Sequence, residues 1–360
     1  MGKVRIKDIA EIANVSIGTV DRVIHNRGEV STATREKVRK LLEEYNYKPD
    51  IIASSLALQR EVRLAVVMPG AVNGHAFWEL PARGVDRAVE ELSSYKILAD
   101  TYYFDQFDRN DFVKLMKKFP FQDVHGVLFA PVFLKDSIAF VTRCEQENVP
   151  LVLFNSLLEE APYSSFVGQD AYHSGYVAAK LISFGLEHRR DVAIINMSAR
   201  TDHYTHLINR EKGFRNFFEV HSDRLDNLIT IDLNGVDDGR LKTKLDEVFE
   251  SQKIGGLFVS NSRVYKVAEY LAGRGSMGVR LVGYDLLPES VEYLKRDYID
   301  FLISQKPEEQ AYKGLTSLFN LVAFHREPER EQFMPIDIIT RENLRYYQSY
   351  SYKTEKEHGI

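Results

Sequence analysis

The sequence has 360 residues, of which 44% are hydrophobic and 28% are charged, and it contains a single cysteine. This composition is ordinary for a folded protein of two or three domains, and it excludes extended disorder. The chain shows no apolar run of membrane-spanning length and no secretory signal at its N-terminus, so we expect a cytoplasmic protein without a membrane partner. Cys144 alone can form neither an internal disulfide nor a multi-cysteine zinc site.

The formal net charge of −5 is unevenly spread along the chain. Residues 1–60 hold 11 Lys and Arg against 8 Asp and Glu, whereas residues 61–360 hold 36 against 44. A basic first segment on a larger acidic body indicates two roles, of which only the first is electrostatically suited to phosphate groups.

Three short helices are predicted in the basic segment. Residues 6–13 place their apolar side chains at i, i+3, i+4 and i+7, which is one face of a helix. Ser16 is suited to cap a second helix, and Ser31 starts a third. The tight turn between the first two helices predicts an all-α helix-turn-helix domain over residues 1–46.

A pattern of residues in register runs through this domain and just beyond it. Its members are Asp8, Ile9, Ala10, Ala13, Val15, Ser16, Thr19, Val20, Arg22, Val23, Val30, Ser31, Thr34, Arg35, Glu36, Lys37, Val38, Asn46, Tyr47 and Pro49. The pattern resembles the lactose-repressor (LacI/GalR) family of bacterial transcription regulators. The resemblance implies a homodimer that binds near-palindromic operator DNA. Asn14 stands where the family usually has Gly, and Asn also tolerates a left-handed turn.

The predicted DNA contacts concentrate at two helix starts. Ile17 and Gly18 lie where bases are read, with Arg22 one turn later, and Arg suits the guanine edge in the major groove. A phosphate contact or a salt bridge is the alternative role for Arg22. The hydroxyls placed to donate to phosphates are those of Ser16, Thr19, Ser31 and Thr34.

Residues 47–61 form a predicted hinge. Pro49 stops the third helix, and the segment that follows is too short to be a stable helix alone. The family resemblance implies that this segment folds on operator DNA, with Leu56 wedged into the minor groove and Ala53 beside it. The alternative is an ordinary linker with Leu56 packed on the body.

From residue 62 onwards, apolar strands alternate with amphipathic helices. This alternation predicts parallel sheets with right-handed crossovers, and the number of strands favours two doubly wound lobes. The chain has no GxGxxG motif after the first strand and no P-loop, HExxH or GxSxG motif, which disfavours dinucleotide, nucleotide triphosphate and common hydrolase sites.

The body resembles the periplasmic-binding-protein fold, which the same family uses as its sensor, and is closest to the sugar-binding branch. Among the segments that carry the resemblance are residues 167–170, 210–214 and 282–285. It implies an α/β body in which the chain crosses between lobes three times. The expected boundaries are 62–165 and 306–333 for lobe 1, 166–305 and 334–344 for lobe 2, and 345–360 for a tail without a functional assignment.

A ligand site is expected between the lobes, at the carboxyl ends of the strands. A sugar needs apolar faces for its ring and polar groups for its hydroxyls. The candidate residues are Phe77, Trp78, Tyr103, Asp105, Asn155, Asp170, Arg210, Asn261, Asp285 and Gln305. Core packing remains the alternative for the aromatic residues, a structural ion pair for Arg210 and Asp285, and turn or helix capping for the amides.

The favoured function is a transcription regulator, in the sense of a repressor, whose operator affinity responds to a sugar or sugar derivative. Such a ligand would shift a population between two conformations. The alternative is a cytoplasmic sugar-modifying enzyme on the same body, for which Asp105 and Asp170 are the candidate acid-base residues. The chain is not expected to be an enzyme, and neither a cofactor nor a metal site is predicted. The sequence leaves the ligand and the operator unidentified.

Overall fold

The computed structural model describes residues 6–24, 30–45, 61–71, 76–186, 190–198, 205–221, 226–234, 238–275 and 278–347. The predictions for Ala53 and Leu56, for residues 47–60 of the hinge and for the tail from residue 348 lie outside these ranges. Within them, no helix combines the length and the apolar character needed to cross a membrane.

The head is a three-helix domain, as predicted. Its helices are α1 (Ile6–Ala13), α2 (Ile17–Ile24) and α3 (Thr32–Glu44). Their apolar faces meet in a small core of Ile9, Ala10, Ala13, Val20, Val23 and Val38. The turn between α1 and α2 places Asn14 in the left-handed region with φ 52°, which explains why an Asn or a Gly is needed there.

Lobe 1 is built on a six-stranded parallel sheet. Its strands are β1 (Val62–Pro69), β2 (Ile97–Phe104), β3 (Gly126–Phe129), β4 (Leu151–Phe154), β5 (Ser165–Gln169) and β11 (Glu331–Met334), in the order β11-β5-β4-β3-β1-β2. Its helices are α4 (Glu79–Glu91), α5 (Arg109–Lys118), α6 (Leu134–Gln146) and α12 (Pro307–Phe324). The central strands are uniformly buried, as expected for a parallel sheet covered by helices on both faces.

Lobe 2 repeats this architecture with one antiparallel edge strand. Its strands are β6 (Asp191–Ser198), β7 (Leu228–Asn234), β8 (Ile254–Val259), β9 (Arg280–Tyr284), β10 (Phe301–Ser304) and β12 (Asp337–Ile339), in the order β12-β10-β9-β8-β6-β7. Its helices are α7 (Ala171–Ser183), α8 (Thr205–Val220), α9 (Asp238–Ser251), α10 (Val264–Arg274) and α11 (Pro288–Lys295). Helices α7 and α8 cover one face of the sheet, and α9 to α11 cover the other. Strand β12 runs antiparallel to β10.

The first passage between the lobes differs from the prediction. Residues 166–169 were expected in lobe 2, but they belong to β5, which pairs with β4 and β11 in the sheet of lobe 1. The chain therefore leaves lobe 1 after Gln169. A short strand with an apolar centre fits the interior of either sheet, so its sequence does not reveal which sheet it joins.

One side chain contacts all three segments by which the chain passes between the lobes. Gln169 ends β5, and its Nε2 donates to the carbonyl oxygens of Ser304 at 3.0 Å and of Pro335 at 3.1 Å. Ser304 begins the second passage, and Pro335 lies in the third. Gln169 thus joins the three segments by which the chain passes between the lobes.

Candidate functional site

A pocket with a cavity volume of about 80 Å³ lies between the two lobes. Its lining residues are Phe77, Trp78, Gln106, Phe107, Pro131, Val132, Asn155, Met197, His206, Leu207, Arg210, Asn261, Ser262, Arg263 and Gln305. Most of them follow the carboxyl ends of strands in either lobe, where ligands bind in doubly wound sheets. This volume is several times the ~10–15 Å³ that one water molecule requires.

The wall from lobe 1 is mainly aromatic and apolar. The rings of Phe77 and Trp78 meet edge to face with centroids 5.0 Å apart. Trp78 donates from its indole N–H to Oε1 of Gln106 at 3.3 Å, which fixes the indole plane. Asp105 Oδ1 accepts from the backbone N–H of Phe107 at 2.8 Å, and this turn brings residues 106 and 107 to the pocket.

Arg210 dominates the wall from lobe 2. It is only 2% exposed. Its guanidinium lies 3.7 Å from the ring centroid of Tyr284, donates to the carbonyl oxygen of Ser260 at 2.7 Å and donates to Oε1 of Gln305. Its Nε has no hydrogen-bond partner. Burial lowers the pKa of Arg210, and the nearby Asp285 carboxylate opposes this change.

Close helix packing sets the position of Arg210. A Cβ on Gly175 of α7 would lie 1.9 Å from the carbonyl oxygen of Arg210 on α8, and a Cβ on Gly213 would lie 1.9 Å from that of Tyr172. Only glycine permits so close an approach of the two backbones. The two glycines therefore let α8 lie against α7, with Arg210 at the edge of the cleft.

Asp285 lies behind the pocket wall, contrary to its prediction as a ligand contact. It is 1% exposed and is absent from the lining residues. Its carboxylate accepts from the backbone N–H of Gln305 at 3.2 Å and from Nε2 of the same residue at 2.6 Å. Burial raises the pKa of Asp285 to about 6. Asp285 therefore positions Gln305, which in turn contacts Arg210.

The loop after β8 completes the lobe 2 wall. Asn261 donates from Nδ2 to the carbonyl oxygen of Met197 at 2.7 Å and accepts from the backbone N–H of Arg263 at 3.1 Å. Arg263 also donates to the Met197 carbonyl oxygen at 2.5 Å. Its guanidinium lies 5.1 Å from the ring centroid of Phe107, so this cation–π contact spans the two lobes.

Two residues of α8 join the lobes directly. His206 Nδ1 and Ser156 Oγ are 2.6 Å apart in a hydrogen bond that runs from lobe 2 to lobe 1. Leu207 packs into a hydrophobic cluster of lobe 1. Burial, together with the charge of Arg210, holds the pKa of His206 well below its usual value. The imidazole is therefore neutral at neutral pH.

Three further predicted ligand contacts lie away from this pocket. Tyr103 is 54% exposed because it lies inside β2, one residue before its end, rather than after it. Asp105 serves the turn after β2. Asp170 caps α7 by accepting from the backbone N–H of His173 at 2.8 Å, and it lines a neighbouring pocket instead.

Six predicted contacts do line the pocket, and the structure brings them together from both lobes. They are Phe77, Trp78, Asn155, Arg210, Asn261 and Gln305. The lining residues that the sequence analysis did not select include Gln106, Phe107, Pro131, Val132, Ser262 and Arg263. All six lie about two to four residues after the end of β2, β3 or β8. Their position just after a strand end is the sequence signal by which they could have been selected.

The head presents two similar polar helix starts. Ser16 Oγ accepts from the backbone N–H of Thr19 at 3.1 Å at the start of α2, and Ser31 Oγ accepts from that of Thr34 at 3.3 Å at the start of α3. Hydroxyl pairs 2.9 Å and 2.8 Å apart accompany these caps. The other predicted DNA contacts on α2 are Ile17, which is 51% exposed, Gly18 and Arg22, and all three are open to solvent.

This combination defines a class of protein. A polar and aromatic pocket lies between two doubly wound lobes, at the place where such folds bind ligands, and a helix-turn-helix head precedes it on the same chain. Residues 64–326 match the family model of the periplasmic binding protein domain, and residues 5–50 match that of bacterial regulatory proteins of the lacI family. The chain therefore belongs to the periplasmic-binding-protein domain family over most of its length, and its head is a DNA-binding domain of the lacI family of bacterial regulatory proteins.

Relatives of known class support this assignment. The chain is 31% identical to the HTH-type transcriptional regulator DegA of Bacillus subtilis over 64% of this chain and 65% of DegA. It is 25% identical to the sucrose operon repressor of Lactococcus lactis over 84% of this chain and 88% of that protein.

Solved structures show the same fold. A protein assigned as a LacI transcriptional regulator from Bacteroides fragilis superposes with a TM-score of 0.73 at 28% identity and covers 80% of this chain and 100% of its own. The glucose-galactose binding protein GanP of Geobacillus stearothermophilus superposes with a TM-score of 0.70 at 18% identity, over 79% of this chain and 99% of its own. This second likeness concerns the fold alone.

Proposed function

We propose that this chain is a cytoplasmic transcription repressor that binds a near-palindromic operator as a homodimer. A small ligand, a sugar or sugar derivative, binds between the lobes and controls the affinity for the operator. The observation that carries the proposal is a ligand pocket between two lobes on a chain that begins with a helix-turn-helix head. The similarity to a sucrose operon repressor over most of the chain supports a sugar as the ligand class.

The geometry supports ligand control of the lobe arrangement. A ligand in the pocket would touch Trp78 from lobe 1 and Arg210 from lobe 2 at once. It would therefore favour the arrangement in which both walls face it, with movement about the passages that Gln169 ties together. A ligand shifts such an equilibrium only by its difference in affinity for the two arrangements.

The alternative of a sugar-modifying enzyme has less support. Its candidate acid-base residues, Asp105 and Asp170, accept hydrogen bonds from the backbone in a turn and at a helix start. Neither carboxylate lines the pocket between the lobes. The two relatives described above are named as a transcriptional regulator and an operon repressor.

Operator binding is tested by selecting DNA sites from a random pool with the full chain and measuring their affinity by fluorescence anisotropy. We expect a near-palindromic site and an affinity that falls steeply with salt, since the phosphate contacts release counterions. Arg22→Ala should cost about 1–3 kcal/mol and relax the choice at one base pair. Arg39→Ala, at an exposed position of α3, serves as the matched control and should leave the base preference unchanged.

Three outcomes would contradict the proposal. They are selection of no site, binding that is indifferent to salt, and a chain that stays monomeric at micromolar concentration in analytical ultracentrifugation. Turnover of a sugar by the purified chain would favour the enzyme alternative.

A further inference from the structure

Arg210 is a buried cation that has no ion-pair partner among the residues that the structure describes. Its two hydrogen bonds within the described residues go to the carbonyl oxygen of Ser260 and to the amide oxygen of Gln305, and both acceptors are neutral. Its Nε makes no hydrogen bond. The Asp285 carboxylate acts on Arg210 only through its electrostatic field, because its hydrogen bonds come from Gln305, which lies between the two residues in this chain of contacts.

Such a charge is unusual in a protein interior. Removing a charged group from water is costly unless a counter-charge and hydrogen bonds replace the hydration, so buried charges are ordinarily paired. Arg210 reaches 2% exposure without this pairing, yet it lines the pocket between the lobes. A ligand in that pocket can therefore supply the missing counter-charge.

The rest of the described lining offers neutral acceptors but no carboxylate to receive the hydroxyls of a neutral sugar. None of the described residues that line it is Asp or Glu. The amide oxygens of Gln106, Asn261 and Gln305 each already accept one hydrogen bond, from Trp78, Arg263 and Arg210 respectively. The fourth amide of the lining, that of Asn155, adds a further neutral acceptor. Hydroxyl groups need acceptors as well as donors, whereas a carboxylate needs donors alone. Because the described lining has cationic donors and no carboxylate, it favours a ligand that is rich in hydrogen-bond acceptors.

We propose that the effector is an anionic sugar, a sugar acid whose carboxylate binds against the Arg210 guanidinium while its carbon skeleton packs on Phe77 and Trp78. The inference rests on the proposed function, because it names the ligand class of the same pocket. A carboxylate matches the planar fork of the Arg210 guanidinium with two oxygens and one negative charge, whereas a phosphate monoester brings about 1.5 to 2 negative charges at neutral pH.

The experiment compares acids with their neutral counterparts of identical stereochemistry. The full chain is titrated with D-galactose and D-galacturonate, D-glucose and D-glucuronate, D-gluconate and D-glucose 6-phosphate. Binding is followed by calorimetry and by the fluorescence of Trp78, which is the only tryptophan in the chain and lies on the pocket wall. We expect at least one carboxylate sugar to bind about tenfold or more tightly than its neutral counterpart, since charge-assisted hydrogen bonds are the stronger ones.

Two variants locate the preference. Arg210→Met should abolish the advantage of the acid. Arg215→Met is the matched control, because Arg215 lies on the same helix, is ion-paired with Glu211 and does not line the pocket. If Arg210→Met fails to fold, Arg210→Lys serves in its place and should keep the preference for the acid with a weaker affinity, because it keeps the charge but not the planar fork.

Several results would overturn the inference. They are a neutral sugar that binds as tightly as its acid, no response to any acid of the panel, and an acid preference that survives in Arg210→Met. Tighter binding of the 6-phosphate would overturn the choice of a carboxylate. A neutral sugar that still releases operator DNA would leave the proposed function intact, whereas failure to bind any operator would contradict that function without reference to the ligand.

Discussion

The two walls of the pocket differ in chemistry. Lobe 1 contributes mainly ring and apolar surface, from Phe77, Trp78, Phe107, Pro131 and Val132. Lobe 2 contributes mainly polar and charged groups, from His206, Arg210, Asn261, Ser262, Arg263 and Gln305. Neither wall alone is a complete site for a small polar ligand. Only a molecule that has both an apolar face and hydrogen-bond acceptors can contact both walls favourably. Such a molecule would stabilise the arrangement in which the two lobes face each other across it, so the lobe arrangement can respond to the ligand.

The two kinds of contact also differ in how sharply they discriminate. Burial of apolar surface is non-directional and scales with area, whereas hydrogen bonds to a fixed guanidinium depend on geometry and leave costly unpaired groups when lost. Changes in the lobe 2 wall should therefore cost more affinity than changes of similar size in the lobe 1 wall.

The largest effect is expected for Arg210→Met. Without the guanidinium, the ligand loses its charge-assisted partner, and we expect about a 100-fold loss of affinity, or ~3 kcal/mol. Operator binding without ligand should persist, because the head has its own core. Anisotropy of labelled operator DNA with and without a galacturonate or glucuronate titration measures both. Loss of operator binding in the absence of ligand would show instead that Arg210 maintains the fold.

Trp78→Ala tests the opposite wall. Removal of the indole takes away apolar surface for the ligand, and we expect roughly a 10- to 30-fold weaker affinity by calorimetry, or about 1.5–2 kcal/mol. Tyr103→Ala is the control, since Tyr103 is a half-exposed aromatic residue of the same lobe outside the pocket. If Tyr103→Ala weakened the ligand as much as Trp78→Ala, the apolar wall would lie elsewhere.

Asp285→Asn isolates the charge behind the lobe 2 wall. The pKa of Asp285 rises from 3.8 to about 6 on folding, so the folded state binds the proton more tightly than the unfolded state. The stability from this group is present below pH 4 and is lost as the pH rises through 6. Asn is neutral and accepts the left-handed backbone, with φ 65°, at this position. Asp285→Asn should therefore be more stable than the wild type by about 1–3 kcal/mol above pH 7.

The measurement for Asp285→Asn is the free energy of unfolding in urea at a series of pH values. The difference between the variant and the wild type should shrink towards zero near pH 4, where both side chains are neutral. A difference that is constant with pH would mean that the charge of Asp285 is not what changes stability.

Ser156→Ala tests the hydrogen bond that joins the two walls. It removes the partner of His206 across the lobes, and we expect a loss of about 1 kcal/mol in the free energy of unfolding. Ser137→Ala is the matched control, because the Ser137 hydroxyl is fully buried in lobe 1 and has no hydrogen-bond partner. That control should be neutral or slightly stabilising. Equal losses of unfolding free energy in the two variants would show that the hydrogen bond between Ser156 and His206 does not stabilise the protein.

The sequence determined the class of each region. Helical spacing and caps in the head, and alternating strands and helices in the body, are local signals, and the structure follows both. Six pocket residues could be selected because each lies at or after a strand end or on the first helix turns beyond one. A parallel sheet places all such ends on one edge, so position along the chain carries that information.

Only the tertiary structure decided which of these residues face the ligand. Asp285 and Gln305 both follow strands of lobe 2, yet only Gln305 lines the pocket. Gln305 donates two hydrogen bonds to the Asp285 carboxylate, which lies behind it. The neutral acceptors of Arg210 could not be read from its motif, because they depend on which oxygens of distant segments lie within reach. Two further features depend on contacts between segments that are far apart in sequence: the sheet that β5 joins and the burial of His206 between the lobes. The residue pattern around each position carries no information about such distant contacts.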